Sequence, residues 1–138
     1  LDEAEDYAHR ALHLYATLDV RATMTTDLAT LALVQLARGR PQAAHVATRT
    51  LLEILDASEP HQIEYPQRDL YVAALTADAC GDSVQATELL RRAYRVVQTH
   101  AANISDAALR HSYLENVRIN RTVIQAAERL KRAQKQPD

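Results

Sequence analysis

The 138 residues predict an all-α fold of about seven antiparallel helices, stacked as helical hairpins into a short solenoid. Three observations carry this. The apolar 47% of the chain is mostly Ala, Leu and Val, with no Phe or Trp, and only 2 Gly and 4 Pro interrupt it; Ala and Leu have the best helix propensities and Gly and Pro the worst. Each glycine divides two stretches of 3.6-residue periodicity. The stretch Leu70 to Tyr94, a helix, a turn at Gly81-Asp82 and a second helix, repeats the layout of Leu28 to Leu55 around Gly39.

Leu1 to Leu18 places Ala4, Ala8, Ala11, Leu12 and Tyr15 at helical spacing. Glu5, Asp6, His9, Arg10 and His13 take the opposite face, and the acids at the start suit the helix dipole. A break is expected near Asp19-Val20. The next helix is capped by Thr25, Thr26 or Asp27, or begins as early as Arg21. Leu28, Leu31, Ala32, Gln35 and Leu36 keep its period up to Gly39, a C-terminal stop. Pro41 suits the first turn of a helix running to Asp56, with Ala44, Val46, Ala47, Leu51, Leu52 and Leu55 apolar. Ser58 to Ile63 is the one loop of any length. Pro66 marks a helix that turns Leu70, Ala73, Ala74 and Ala77 inward and ends at Gly81. Asp82 or Ser83 caps a long helix to about Ala101, with Val84, Ala86, Leu89, Leu90, Ala93, Val96 and Val97. Ser105 or Asp106 caps a shorter helix ending near Asn116 or Val117, whose Leu109, Tyr113 and Val117 form an apolar stripe closing the array. Asn120 caps the last helix, with Val123, Ile124, Ala127 and Leu130 apolar. From Lys131 the chain is polar, and 135–138 is expected to fray.

Aligning the glycines carries the pattern across. Gly39 and Gly81 stand 42 residues apart, and Leu28, Ala32, Ala44 and Leu51 match Leu70, Ala74, Ala86 and Ala93. Ala4 and Ala11 precede Ala44 and Leu51 by 40. Small side chains at Ala44 and Ala86 would let paired helices approach closely. The expected units within a domain 1–134 are 1–18 (the second half of a repeat), 21–57, 64–101 and a closing helical pair 105–134.

This pattern resembles the tetratricopeptide family: Leu and a small residue on the first helix, Gly at the turn, two Ala on the second. Leu1-Asp2-Glu3-Ala4 through Ala11-Leu12 matches the family's second helix best. The standard unit is ~34 residues, and the longer period here is similar to the sensor arms of bacterial signal-transduction ATPases and large LuxR-type transcription regulators. The closing segment is similar to the end of the repeat region in those proteins and in cyclase-like ATPases. It comprises Ala101-Ala102-Asn103-Ile104-Ser105-Asp106, Leu109-Arg110, Ser112-Tyr113-Leu114-Glu115-Asn116-Val117 and Asn120-Arg121. Arg118 and Ile119 stand where that family often has Pro.

The resemblance implies a concave surface built from the first helix of each repeat. Its groove positions fall on Thr26, Ala29, Leu33, Leu36 and Ala37, then on Arg68, Tyr71, Leu75 and Asp78. Leu33, Leu36, Arg68, Tyr71, Leu75 and Asp78 are the candidate partner-binding residues. The apolar ones have an alternative role in packing against a neighbouring helix or domain. Ala29 and Leu33 stand where carboxylate-clamping members carry Lys and Asn, which argues against capture of an acidic C-terminus.

Other chemistry finds little support. Glu5, His9 and His13 share a helix face at metal-ligand spacing, but nothing completes the set, and a solvated polar face accounts for them. Cys80, beside a turn glycine, needs only to be small, and a Cys-His nucleophile would need an oriented third group. Paired acids at the start of the first helix read as dipole complements, and no Gly-rich phosphate loop occurs. Catalytic residues, metal and cofactor are therefore all expected to be none. A net charge of −2 and a pI near 6.3 give no general pull toward nucleic acid or an anionic membrane. The basic run Arg91, Arg92, Arg95, Arg118, Arg121, Arg129, Lys131, Arg132 and Lys135 reads as a charge-laced solvent face, with DNA binding a distant alternative. A single cysteine and the lack of a ~20-residue apolar run point to a cytosolic setting without a membrane span. Starting inside a helix without Met, the chain is expected to be a piece of a longer protein.

The expected function is a non-catalytic interaction module, an arm of a larger bacterial regulator. It would bind a protein or peptide, or a small-molecule inducer, and pass that event to neighbouring domains of the parent chain. A structural or self-associating scaffold, forming a homo-oligomer, is the alternative.

Overall fold

The computed structural model describes residues 1–18 and 21–135. Among these residues seven α-helices follow one another: α1 (Asp2–Leu18), α2 (Met24–Ala37), α3 (Pro41–Ala57), α4 (Pro66–Ala79), α5 (Ser83–Ala102), α6 (Ala107–Glu115) and α7 (Arg118–Lys135). Single 3₁₀ turns lie at Arg21–Thr23 and Pro60–Gln62, and no strand occurs among the described residues. The side chain of Tyr15, the expected break at Asp19-Val20 and residues 136–138 of the expected frayed tail lie outside the described residues; Lys135 is helical.

The two glycine turns are built alike. Gly39 and Gly81 take left-handed backbone, φ 68° and 84°, a conformation that strains any residue with a Cβ. Gly39 N–H donates to the Leu36 carbonyl and Arg40 N–H to the Gln35 carbonyl, both at 2.9 Å. Gly81 to Asp78 and Asp82 to Ala77 repeat the pair at the same distances. Each is a Schellman turn, which satisfies carbonyls that a helix end would leave bare. Pro41 then opens α3. Of the two candidates for capping α5, Asp82 serves, its carboxylate accepting from Gln85 N–H at 3.0 Å. Asp106 caps α6 in the same way, through Leu109 N–H at 2.8 Å.

These turns fold α2 onto α3 and α4 onto α5. Leu28, Ala29 and Ala32 of α2 meet Ala44, Ala47, Leu51 and Ile54 of α3 in one buried cluster, with Ile63 and Val72. Leu70, Ala73, Ala74 and Ala77 of α4 meet Leu89, Ala93 and Val97 of α5 in a second, closed by Val123 of α7. The pairing of Leu28 with Leu70, Ala32 with Ala74 and Leu51 with Ala93 thus holds in burial as well as in sequence. Ala44 is fully buried; Ala86 is only half-buried, at the edge of the second cluster. α1 lies against α2, its start beside the end of α2, where Gln35 Nε2 donates to Glu5 at 2.6 Å and Arg38 pairs with Asp2 and Glu5. Glu5 is therefore half-buried against α2 instead of on a free polar face.

Several sequence expectations need correction. Of the two starts expected for the second helix the earlier one holds: the 3₁₀ turn at Arg21–Thr23 runs straight into α2 and puts Thr25, Thr26 and Asp27 inside it, so none of the three is a cap. Asn120 does not cap α7 either; it lies within the helix and is fully buried. Val46 and Val84 point to solvent, since each sits in the first two turns of a helix on the side away from its partner. Leu109 and Val117 are exposed as well, so the stripe they would form with Tyr113 is not a packing face; Tyr113 alone reaches the core. The closing unit is not simply α6 on α7. The longer α7 packs on α4 and α5, and α6 bridges α5 and α7.

A polar thread ties the starts of three helices together. Arg68 Nη2 of α4 donates to the Thr26 carbonyl of α2 at 3.4 Å. Next to it, Gln67 Nε2 donates to Asn120 Oδ1 of α7 at 3.2 Å, and Asn120 Nδ2 to the Tyr113 carbonyl at 2.9 Å. The starts of α2, α4 and α7 therefore lie side by side.

Candidate functional site

Tyr71, Leu75 and Asp78 recur at helical spacing on α4, on the side opposite its buried Ala73 and Ala77. They form one wall of an open cleft of about 420 Å³. Ala126, Arg129 and Leu130 of α7 form the facing wall, and Ser83, Ala86, Thr87 and Leu90 of α5 run between. Small side chains at Ala74, Ala86 and Ala126 leave the space open. The buried Gln67–Asn120 hydrogen bond holds the walls at the helix starts. Toward the other end the Lys131 ammonium sits 4.7 Å over the Tyr94 ring, tying α7 to α5.

The cleft is apolar along most of its length and carries one charge of each sign, Asp78 on α4 and Arg129 on α7. Among the described residues neither charged group has an ion-pair or side-chain hydrogen-bond partner. Such an arrangement can hold an apolar segment and orient it through its charges.

The other sequence candidates fall elsewhere. Leu33 is exposed on α2, one repeat from the equally exposed Leu75. Leu36 packs against the first core cluster, and Ala29 is buried in it, so Ala29 lines no groove. Arg68 is engaged at the start of α4: it pairs with Asp69 at 3.0 Å, reaches the Thr26 carbonyl and stacks 5.5 Å from the Tyr65 ring centroid. Asp69 is fully buried, and burial pushes its carboxyl above the usual range, opposed by the Thr25 hydroxyl and Arg68. Asp27 is raised for the same first reason, with Arg68 opposing.

Sequence reasoning missed the α7 wall. Arg129 had been absorbed into a basic run, and nothing in the periodicity of α7 says which helix it faces. Members of that run are in part engaged: Arg92 with Asp56 at 2.7 Å and Arg95 with Glu88 at 3.0 Å. Glu5 serves α2, with His9 3.9 Å from it, and among the described residues no group of three His, Cys, Asp or Glu could hold a metal ion. The Cys80 thiol points to the Pro41 carbonyl at 3.5 Å. No described helix is long and apolar enough to cross a membrane.

No family model, curated protein or solved structure matches the chain. The functional reading therefore rests on the site itself.

Proposed function

We propose that the chain is a tetratricopeptide-like solenoid serving as a non-catalytic interaction module, and that a protein or peptide segment binds along the face shared by α2, α4 and α7. Two matching Schellman turns, 42 residues apart, and the side-by-side starts of these three helices support the repeat reading. The observation that carries the function is the open apolar cleft whose Asp78 and Arg129 have no ion-pair or side-chain hydrogen-bond partner among the described residues. The wider setting, an arm of a larger bacterial regulator that relays binding to neighbouring domains, follows from the resemblance alone.

Panning a displayed peptide library on the chain tests this. Selected peptides should lose binding at least about tenfold with Asp78→Arg or Arg129→Glu, as expected for a lost charge-assisted contact. They should be indifferent to Val84→Arg, which lies on an exposed surface outside the cleft. Peptides insensitive to both reversals would overturn the assignment.

A self-associating scaffold is the second reading, favoured by α1. Its Tyr7 and Leu14 are exposed, whereas Ala47 and Ile54, their counterparts 40 residues on, are buried in α3. Light scattering over a range of concentrations separates the readings: a mass that stays monomeric rules against the scaffold.

A further inference from the structure

A second cavity, of about 410 Å³, shares no lining residue with the cleft between α4 and α7. It opens between the end of α3, the connection to α4 and the second half of α5. Leu55, Ile63, Leu70 and Val96 make its apolar surface, and Ile63 and Leu70 are buried there. The 3₁₀ turn before Ile63 is closed on itself, with Glu59 N–H donating to Gln62 Oε1 at 2.8 Å and Gln62 N–H to the Glu59 carbonyl at 2.9 Å. That closure makes the connection a shaped wall.

The charge at this cavity is of one sign. Arg92 and Arg95 line it and no acid does; the His100 ring, its Nδ1 3.4 Å from the Tyr113 hydroxyl, lines it as well. The carboxylates that pair with the two arginines, Asp56 and Glu88, lie outside the lining, with side chains 60% and 56% exposed. Solvent-exposed pairs of this kind are worth only ~0–1 kcal/mol, so a carboxylate delivered into the cavity can take their place. A neutral apolar guest would leave the guanidinium groups unused. A small, wholly polar anion would cover none of the apolar surface. The volume falls within the ~300–1,000 Å³ typical of small-molecule sites.

We infer that this cavity binds a small amphipathic carboxylate, its acyl or aryl tail against Leu55, Ile63, Leu70 and Val96 and its carboxylate on Arg92 and Arg95. Because those residues come from α3, α4, α5 and the connection between hairpins, such a ligand ties one hairpin to the next. The inference stands on its own residues and does not depend on peptide binding at the other cleft.

Decanoate, kept below its aggregation concentration, is the probe, with decanol as its neutral counterpart, both titrated into the ¹⁵N-labelled chain and followed by two-dimensional NMR. Decanoate should shift the amides of Ile63, Leu70, Val96 and Thr99 together. The Arg92→Gln/Arg95→Gln variant should weaken decanoate at least about tenfold while leaving decanol unchanged. Arg91→Gln, outside the cavity, should leave both unchanged. Both arginines are partly solvated surface residues, so a retained wild-type spectrum shows that the double variant folds. Equal affinity for decanol and decanoate, an unaffected double variant, or shifts centred on Tyr71 to Asp78 would each overturn the inference.

Discussion

A methyl group added at Gly81 would meet no neighbouring atom within 4 Å, so the cost of Gly81→Ala is backbone strain alone. It should lower stability by ~1–2 kcal/mol, and Gly81→Asn by less, because Asn tolerates left-handed backbone better. Urea unfolding of the two variants checks the order. Asp69 supports a pH prediction. Its folded-state pKa is raised, so the fold favours the protonated form. That contribution is complete below the ordinary value of 3.8 and is lost as pH rises through the raised one. Asp69→Asn mimics the neutral acid at every pH. The variant should therefore gain on the wild type as pH rises from about 3 to about 7, measured as the difference between their urea midpoints. A constant difference would contradict the burial argument. Asn120 was not legible in sequence for a related reason. A short polar residue near a helix start reads as a cap, and only the arrival of Gln67 from α4 turns it into a buried cross-link.

At the scale of elements, helices and turns were plain from periodicity, two glycines and well-placed prolines, since these act locally. Which apolar positions would be covered was less plain. Val46 and Val84 are apolar but lie off the buried stripe of their helices, on the side away from the partner helix, so residue type alone misplaced them. The equivalence of Ala44 and Ala86 is likewise closer in sequence than in packing. Ala44→Leu should overpack the α2–α3 contact and destabilise by ~1–3 kcal/mol. Ala86→Leu should cost less, because its side chain can extend into the cleft beside Leu90 and Leu130. Thermal unfolding of both variants tests this, and equal losses would mean that the cleft is closed at Ala86.

For the whole molecule, the placement of α7 matters most. Sequence pattern made its apolar stripe evident but paired it with α6, its neighbour along the chain. It packs on α6 but lies across α4 and α5 as well, next in line after α2 and α4, and so supplies one wall of the candidate site. Long-range docking of this kind depends on the buried Gln67–Asn120 bond, which has no local signature, and on Val123, whose place in the apolar stripe does not say which helix it meets. Asn120→Ala would leave Gln67 and the Tyr113 carbonyl without this partner and should cost ~1–3 kcal/mol. The loss should appear first as faster hydrogen exchange in α7.

The most direct test of the account is hydrogen exchange of the whole chain with and without a peptide selected on it. The account predicts new protection on both walls of the cleft, around Tyr71–Asp78 of α4 and Ala126–Leu130 of α7, with little change in α1 or α3. Protection confined to α1, or spread evenly over every helix, would contradict it.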